Sequence, residues 1–146
     1  MKHSLWLMVF TLMLLSCKES TSEEAVAQNE PFEYDMYVPS EMANLMNDMY
    51  DHNLQIKQDI LDGKQPKEFP EEFLKIHSAE FTKGKGRNET FDNFSKLYIS
   101  TQKEIYNPDS EVDLKSRFNS SINLCISCHQ TECTGPISRI KKLIIQ

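Results

Sequence analysis

The sequence has no apolar run long enough to cross a bilayer as a helix. Its longest run, Leu5 to Leu15, is interrupted only by Thr11 and covers 11 residues, whereas a spanning helix needs about 20. Internal repeats, long low-complexity segments and a convincing pair of strand patterns are also missing. No Ser/His/Asp set and no paired carboxylates stand out, so the sequence carries no sign of a hydrolytic centre. These absences favour a small helical protein.

Positive charge is scarce as well. Lys and Arg number 16 against 22 Asp and Glu, which gives a formal net charge of −6. A chain with this balance repels the phosphate backbone of nucleic acids, so no nucleic-acid partner is expected. A small basic group near the C-terminus, Arg139, Lys141 and Lys142, fits the solvated face of an amphipathic tail, with docking of an acidic partner as the alternative.

The N-terminus has the pattern of an export signal. Lys2 and His3 precede the apolar run, which ends in Leu14-Leu15-Ser16-Cys17. This ending resembles the lipobox of bacterial lipoproteins, which predicts a signal peptide over residues 1–16, cleavage before Cys17 and lipidation of that residue. An ordinary signal peptide is the alternative. Cleavage would leave 130 residues with a net charge of −7, because Lys2 is the only charged residue removed.

The rest of the chain divides into a tether and a domain. Residues 17–38 are polar and without periodicity, which predicts a flexible tether. Residues 39–146 are enough for one small domain. The lipid on Cys17 would hold this domain to a membrane of the bacterial cell envelope, facing the periplasm or the cell surface.

Cysteine is rare, and two of the four lie in Cys125-Ile126-Ser127-Cys128-His129. Cys-x-x-Cys-His is the attachment pattern for c-type haem. The two thiols can form thioethers to the two vinyl groups of one porphyrin, and His129 can bind the iron as proximal ligand. On a helix these three residues share one face. Export agrees with this prediction, since haem is attached outside the bacterial inner membrane.

Two other roles for the motif stay open. Cys125, Cys128, Cys133 and a histidine could form a structural zinc site, although no second Cys/His pair exists in the chain. Alternatively, Cys125 and Cys128 could be a redox dithiol, although no βαβ pattern surrounds them. Cys133 is left over and is expected to be buried without a chemical role.

Hydrophobic periodicity predicts four amphipathic helices and a short helical tail, hence an all-α antiparallel four-helix bundle. Phe118, Ile122, Cys125 and His129, together with Leu114, form one stripe of the fourth helix, which would carry the haem motif into the core. The predicted helices cover Glu41 to Asp62 after the cap Ser40, about Pro70 to Phe81, Asn88 to Asn107-Pro108, and Asp109 or Ser110 to Gly135-Pro136, and the tail covers Ile137 to Ile145.

From Ser40 to about Cys133 the chain resembles the class II c-type cytochromes, the cytochrome c-prime and cytochrome c-556 group, on the motif and the order of helices. The resemblance implies a four-helix bundle with one covalent haem c near the end of the last helix, attached through Cys125 and Cys128. It implies His129 as the proximal iron ligand. It also implies a distal residue on the first helix near Met46, with Met42 and Met49 one turn to either side.

The sixth ligand decides between two functions. A methionine sulfur on iron suits electron transfer, with Met46 as the leading ligand and Met42 or Met49 as alternates. An open iron suits binding of nitric oxide or carbon monoxide; His52 or His77 would be a third kind of ligand. Either way the protein is expected to be an electron carrier or gas-binding protein rather than an enzyme. Its expected partners are redox proteins of the cell envelope, and a homodimer is one option for its oligomeric state.

Overall fold

A computed structural model describes residues Tyr37 to Gln146, which form one compact unit. The predicted signal peptide (1–16), the lipidation site Cys17 and nearly all of the tether (17–38) lie outside the described residues. Tyr37 and Val38, the last two tether positions, are exposed and belong to no helix. In the part of the chain that is described, no helix combines the length and the apolar character needed to cross a membrane.

Every regular element between Tyr37 and Gln146 is helical, which confirms the all-α class. Three long α-helices are joined by loops, and a 3₁₀ segment lies between the first two. A short tail follows the third. The elements are α1 (Glu41–Leu61), the 3₁₀ helix η1 (Glu71–His77), α2 (Glu89–Ile105), α3 (Leu114–Glu132), α4 (Ile137–Ile140) and the 3₁₀ helix η2 (Lys141–Leu143).

Helix α1 has the start and the end that the sequence predicts. The Ser40 hydroxyl accepts a hydrogen bond from the Ala43 backbone N–H at 3.2 Å, which satisfies one of the free donors of the first turn. The helix ends before Gly63, whose φ of 73° places it in the left-handed region that closes many helices. Its buried side is spaced by three, four and seven residues and consists of Met42, Leu45, Met49, Asn53 and Ile56.

The predicted second α-helix over 70–81 is wrong in type and length. The chain forms the 3₁₀ helix η1, whose three residues per turn bring side chains three apart onto one side. Phe73 and Ile76 have this spacing and are both buried, as is Ala79 three residues further on. His77, expected on the same side, is exposed.

Helices α2 and α3 run antiparallel and pack closely along their length. Asn88 caps α2 as predicted, accepting from the Phe91 N–H at 2.8 Å. The loop to α3 is longer than predicted, because Asp113 rather than Asp109 or Ser110 caps α3, accepting from the Ser116 N–H at 2.9 Å. Buried Arg117 then donates to the Glu104 and Asn107 carbonyls at 2.6 and 2.7 Å, which fixes the end of α2 against the start of α3.

Helix α3 ends at Glu132, three residues before the predicted stop at Gly135-Pro136. The predicted helical tail is present as α4 and η2 and lies between α1 and α3. Lys57 of α1 donates to the Lys142 and Ile144 carbonyls at 2.7 and 3.1 Å. Asn119 of α3 exchanges two hydrogen bonds of 2.9 Å with the Ile145 backbone. The tail buries three apolar side chains, those of Ile140, Leu143 and Ile145.

Two hydrophobic clusters meet at Cys125, which packs against both of them. The predicted stripe of α3 is buried in part, since Phe118 and Ile122 are fully enclosed whereas Leu114, Cys125 and His129 are half-buried. The first cluster is formed by Met42, Leu45, Met49, Phe73, Ile76, Ala79, Phe91, Tyr98 and Ile99. The second is formed by Ile56, Ile105, Phe118, Ile122, Ile140, Leu143 and Ile145.

We expect Phe118→Ala to lower the free energy of unfolding by about 3–5 kcal/mol, because Phe118 is 0% exposed and its removal leaves a cavity in the second cluster. Leu97→Ala is the control, since Leu97 is 54% exposed and should change stability by less than about 0.5 kcal/mol. Urea denaturation followed by circular dichroism measures both. Equal losses for the two variants would contradict this packing.

Candidate cofactor site

A cavity of about 350 Å³ opens between α1, α2, α3 and the tail. This volume lies in the range of about 300–1,000 Å³ that is typical of small-molecule sites. The lining is mostly apolar, and the few polar groups lie among the motif residues, at the inner end and at the rim. Its walls include Met42, Met46, Met49, Tyr50, Asn53, Phe81, Phe91, Tyr98, Cys125, Cys128, His129, Cys133, Ile140 and Leu143.

The three motif residues line the cavity together. Cys125 and Cys128 lie one turn apart on α3, are half-buried and pack against the first cluster. Both are free thiols, so no disulfide joins them. His129 follows in the last turn of α3 and is also half-buried. The three side chains therefore lie on one side of the helix, as their spacing predicts.

The ring of His129 is oriented by the backbone just beyond α3. Its Nδ1 lies 2.8 Å from the Cys133 carbonyl oxygen. Because a carbonyl can only accept, Nδ1 carries a hydrogen, so the lone pair of the neutral ring lies on Nε2. Histidines that bind metals commonly donate their other ring N–H to a carbonyl in this way, which fixes the tautomer and the ring direction. In this orientation Nε2 is the ring atom of His129 that is available to bind a metal.

The three methionines of α1 all line the same cavity as the motif. Met42 and Met49 are buried, whereas Met46 is half-buried and packs against the first cluster together with Cys125 and Cys128. Met46 and Met49 also line a second, small cavity of about 40 Å³ that shares Cys125 and His129 with the large one. The methionine candidates for the sixth ligand therefore lie at the site.

The two histidines considered as ligands lie elsewhere. His52 Nε2 is 2.8 Å from the Tyr106 hydroxyl, and its ring meets Phe73 edge-on, so the side chain points away from the cavity. Burial lowers the pKa of His52. His77 is exposed, with Nδ1 3.3 Å from the Ser95 hydroxyl. Neither lines the cavity, so the alternative of a histidine as sixth ligand is not supported.

Neither of the other roles for the motif finds support in the geometry. In residues 37–146 no group of three or more His, Cys, Asp or Glu side chains could hold a metal ion, so the Cys₃His zinc set is not assembled. Burial and the charge of Cys128 raise the pKa of Cys125 to about 12. Burial and the charge of Glu132 raise the pKa of Cys128 to about 11. A redox dithiol needs a lowered thiol pKa, because the thiolate is the reactive form.

Cys133 is exposed, so its predicted burial is wrong. The reason is the early end of α3, since Cys133 has an extended backbone and leaves the buried side of the helix. Its role in the site comes from the main chain, whose carbonyl accepts the hydrogen bond of His129.

In the folded chain without a bound group, we expect Cys133 to react with a maleimide much faster than the motif thiols. The raised pKa of Cys128 leaves roughly 100-fold less thiolate at neutral pH than an ordinary thiol has, and Cys125 has still less. Their labelling should rise steeply as the pH approaches 11. Mass spectrometry of labelled protein at several pH values measures this. Cys133→Ser is the control and should remove the fast reaction at that position; equal labelling rates at Cys125, Cys128 and Cys133 would contradict the expectation.

The rim of the cavity carries two basic side chains, Lys85 and Arg139. The Arg139 guanidinium lies over the Tyr50 ring, 3.7 Å from its centre, and donates to Asn47 at 2.8 Å and Asp51 at 3.2 Å. The basic group predicted for the tail is therefore divided, because Arg139 contacts α1 at the site whereas Lys141 and Lys142 are simply exposed.

The sequence reasoning missed the polar groups at the inner end of the cavity. The sequence singles out neither Tyr98 nor Asn53 as a site residue. A signal for Asn53 was present, since it falls on the apolar side of α1, four residues after Met49 and three before Ile56. A buried amide in such a stripe needs hydrogen-bond partners, which here are the Met49 carbonyl at 2.7 Å and the Tyr98 hydroxyl at 3.3 Å.

Comparison with protein-family models, curated proteins and solved structures finds no match to this chain. The interpretation of the site therefore depends on its own chemistry. A haem needs a mostly apolar cavity, two thiols at the correct spacing and an imidazole nitrogen free to bind iron. The cavity has all three, so the residues present fit a covalently attached haem.

Proposed function

We propose that this protein is a monohaem c-type cytochrome that transfers electrons in the bacterial cell envelope. The observation that carries the proposal is the cavity itself, whose mostly apolar wall contains both the Cys-x-x-Cys-His residues of α3 and three methionines of α1. The class II c-type cytochromes have this relation between the last and the first helix. The fold would then be a variant of their antiparallel four-helix bundle, with η1 in place of the second helix and the tail covering α1 and α3.

Each motif residue has a distinct task in this proposal. Cys125 and Cys128 would each add their S–H across one vinyl double bond, the sulfur bonding to one carbon and the hydrogen to the other, without loss or gain of electrons. His129 would bind the iron through Nε2, while the Cys133 carbonyl keeps the ring in place. When bound, the haem supplies a one-electron couple between ferric and ferrous iron.

Other residues of the chain would set the reduction potential of that couple. A methionine sulfur from α1, with Met46 as the leading candidate, favours ferrous iron and raises the reduction potential. The apolar walls from Met42, Met49 and Phe91 exclude water and penalise the extra charge of the ferric form. The exposed rim would leave one haem edge accessible to a redox partner. Lipidation of Cys17 would hold the domain at a membrane surface where such partners are present.

The test is to express the chain together with a c-type maturation system and to measure its mass and spectrum. We expect a mass gain of one haem that survives acid–acetone extraction, and a sharp low-spin α-band in the reduced protein. A chain without covalent haem would overturn the proposal. The Met1–Gln146 chain should be used, so that lipidation at Cys17 is read in the same mass spectrum.

The second candidate function is binding of a small gas, nitric oxide or carbon monoxide, at an open iron. The observation in its favour is the small cavity of about 40 Å³ beside His129, Met46 and Met49, because a space above roughly 15 Å³ can admit a molecule of the size of water. A high-spin reduced spectrum that changes fully on addition of carbon monoxide would select this function over electron transfer.

A further inference from the structure

A row of buried polar side chains runs from the interior to the cavity, with one or more members from each long helix. Ser121 of α3, Gln102 and Tyr98 of α2 and Asn53 of α1 are all 6% exposed or less. Polar groups are costly to bury unless they are hydrogen-bonded, so their arrangement calls for a physical explanation. We call these four residues the polar row.

The hydrogen bonds of the polar row all point in one direction. The Ser121 hydroxyl donates to Gln102 Oε1 at 2.7 Å, and Gln102 Nε2 donates to Asn53 Oδ1 at 3.1 Å. Asn53 Nδ2 donates to the Tyr98 hydroxyl oxygen at 3.3 Å. In each pair the donor is therefore the residue farther from Tyr98. The Tyr98 oxygen accepts the last of these hydrogen bonds, and its own hydroxyl hydrogen remains available to donate.

The hydroxyl hydrogen of Tyr98 has no acceptor among residues 37–146. Tyr98 lines both the large and the small cavity, the latter together with Met46 and Met49. Its hydroxyl is bonded to Asn53, one turn after Met49, so it lies on the α1 side, where the methionines are. Burial, with the neighbouring Cys125 thiol as the next cause, raises the pKa of Tyr98 well above its ordinary value, so the hydroxyl stays protonated.

We propose that Tyr98 donates a hydrogen bond to the ligand bound on the iron face opposite His129, and that the polar row holds its hydroxyl in that direction. The inference rests on the proposed haem. Tyr98 then selects ligands that can accept a hydrogen bond, a methionine sulfur or a small diatomic gas with a partial negative charge on its outer atom. Donors in the distal pocket are among the features that decide which ligands a haem keeps.

The test uses carbon monoxide as a probe on the reduced haem-loaded protein. Met46→Ala opens the iron for the probe; if the spectra of the methionine variants identify Met42 or Met49 as the ligand, that residue is replaced instead. A donor near the bound oxygen strengthens back-donation from iron and weakens the C–O bond. Adding Tyr98→Phe should therefore raise the C–O stretching frequency and accelerate carbon monoxide release. The phenylalanine keeps the shape of the ring, and Asn53 Nδ2 keeps its hydrogen bond to the Met49 carbonyl, so the variant should retain the fold.

Tyr106→Phe in the same background is the matched control. Tyr106 caps the end of α2, bonds to His52 at 2.8 Å and does not line either cavity. Its hydroxyl also neighbours Gln102 of the polar row, but it cannot donate to a ligand in the cavity, so the frequency should stay unchanged. An identical frequency and release rate with and without Tyr98→Phe would overturn the inference while leaving the cytochrome intact. A shift of the same size in the Tyr106 variant would also overturn it. Absence of haem from the wild-type chain would overturn the proposed function and this inference together.

Discussion

Cys125→Ala/Cys128→Ala should abolish covalent haem attachment entirely. Both thioether bonds depend on these sulfurs, and the only other thiol of the described residues, Cys133, is exposed and lies outside the motif spacing. Acid–acetone extraction followed by intact mass measurement is the readout. Wild-type protein should keep one haem on the chain, and the double variant should keep none.

The two single variants test each thioether separately. Cys125→Ala and Cys128→Ala should each retain haem through one thioether, with less of it attached than in the wild type. Cys133→Ala is the matched control, since Cys133 also lines the cavity but contributes its backbone carbonyl rather than its sulfur to the site. Retention of covalent haem in the double variant would contradict the assignment, and so would its loss in Cys133→Ala.

Met46→Ala should convert a low-spin haem to a high-spin one. If Met46 binds the iron, its loss removes the weak sulfur-to-iron charge-transfer band in the far red. It also lowers the reduction potential, because a thioether stabilises ferrous over ferric iron. Absorption spectroscopy and a redox titration measure the three effects.

Met42→Ala and Met49→Ala are the neighbouring controls. Both side chains are buried in the first cluster, so their removal should mainly lower the free energy of unfolding, by about 2–5 kcal/mol. An unchanged spectrum in Met46→Ala with a changed one in either neighbour would assign the sixth iron ligand to that neighbour, one turn away on α1. Unchanged spectra in all three, with a high-spin wild type, would favour the gas-binding function.

The parts of the fold that the sequence predicts are those set by local interactions. Ser40 and Asn88 cap helices through their own side chains, and Gly63 closes α1 through its own backbone conformation, so each signal lies within a few residues. The start of α3 could not be predicted in this way, because several capping residues follow one another there. The choice of Asp113 accompanies the contact of Arg117 with the end of α2, which lies about a dozen residues away in the chain.

The same distinction holds for the site. Cys125, Cys128 and His129 are brought together by one turn of helix, and the stripe of methionines follows from the period of α1. The polar row could not be found from the sequence, because its members come from three helices and their pairing depends on tertiary packing. The position of His52 outside the cavity could not be predicted for the same reason, since its partner Tyr106 lies 54 positions away.

The polar row also fixes the positions of the three long helices relative to one another along their axes. Gln102 lies between Asn53 of α1 and Ser121 of α3, so a shift of any helix by one turn would leave buried amide or hydroxyl groups unpaired. Each such group costs about 1–3 kcal/mol, whereas apolar side chains tolerate small displacements. A single buried polar residue sets the register of many coiled coils by the same physics. The polar row therefore fixes the depth at which α3 carries its two thiols and its imidazole relative to α1 and α2.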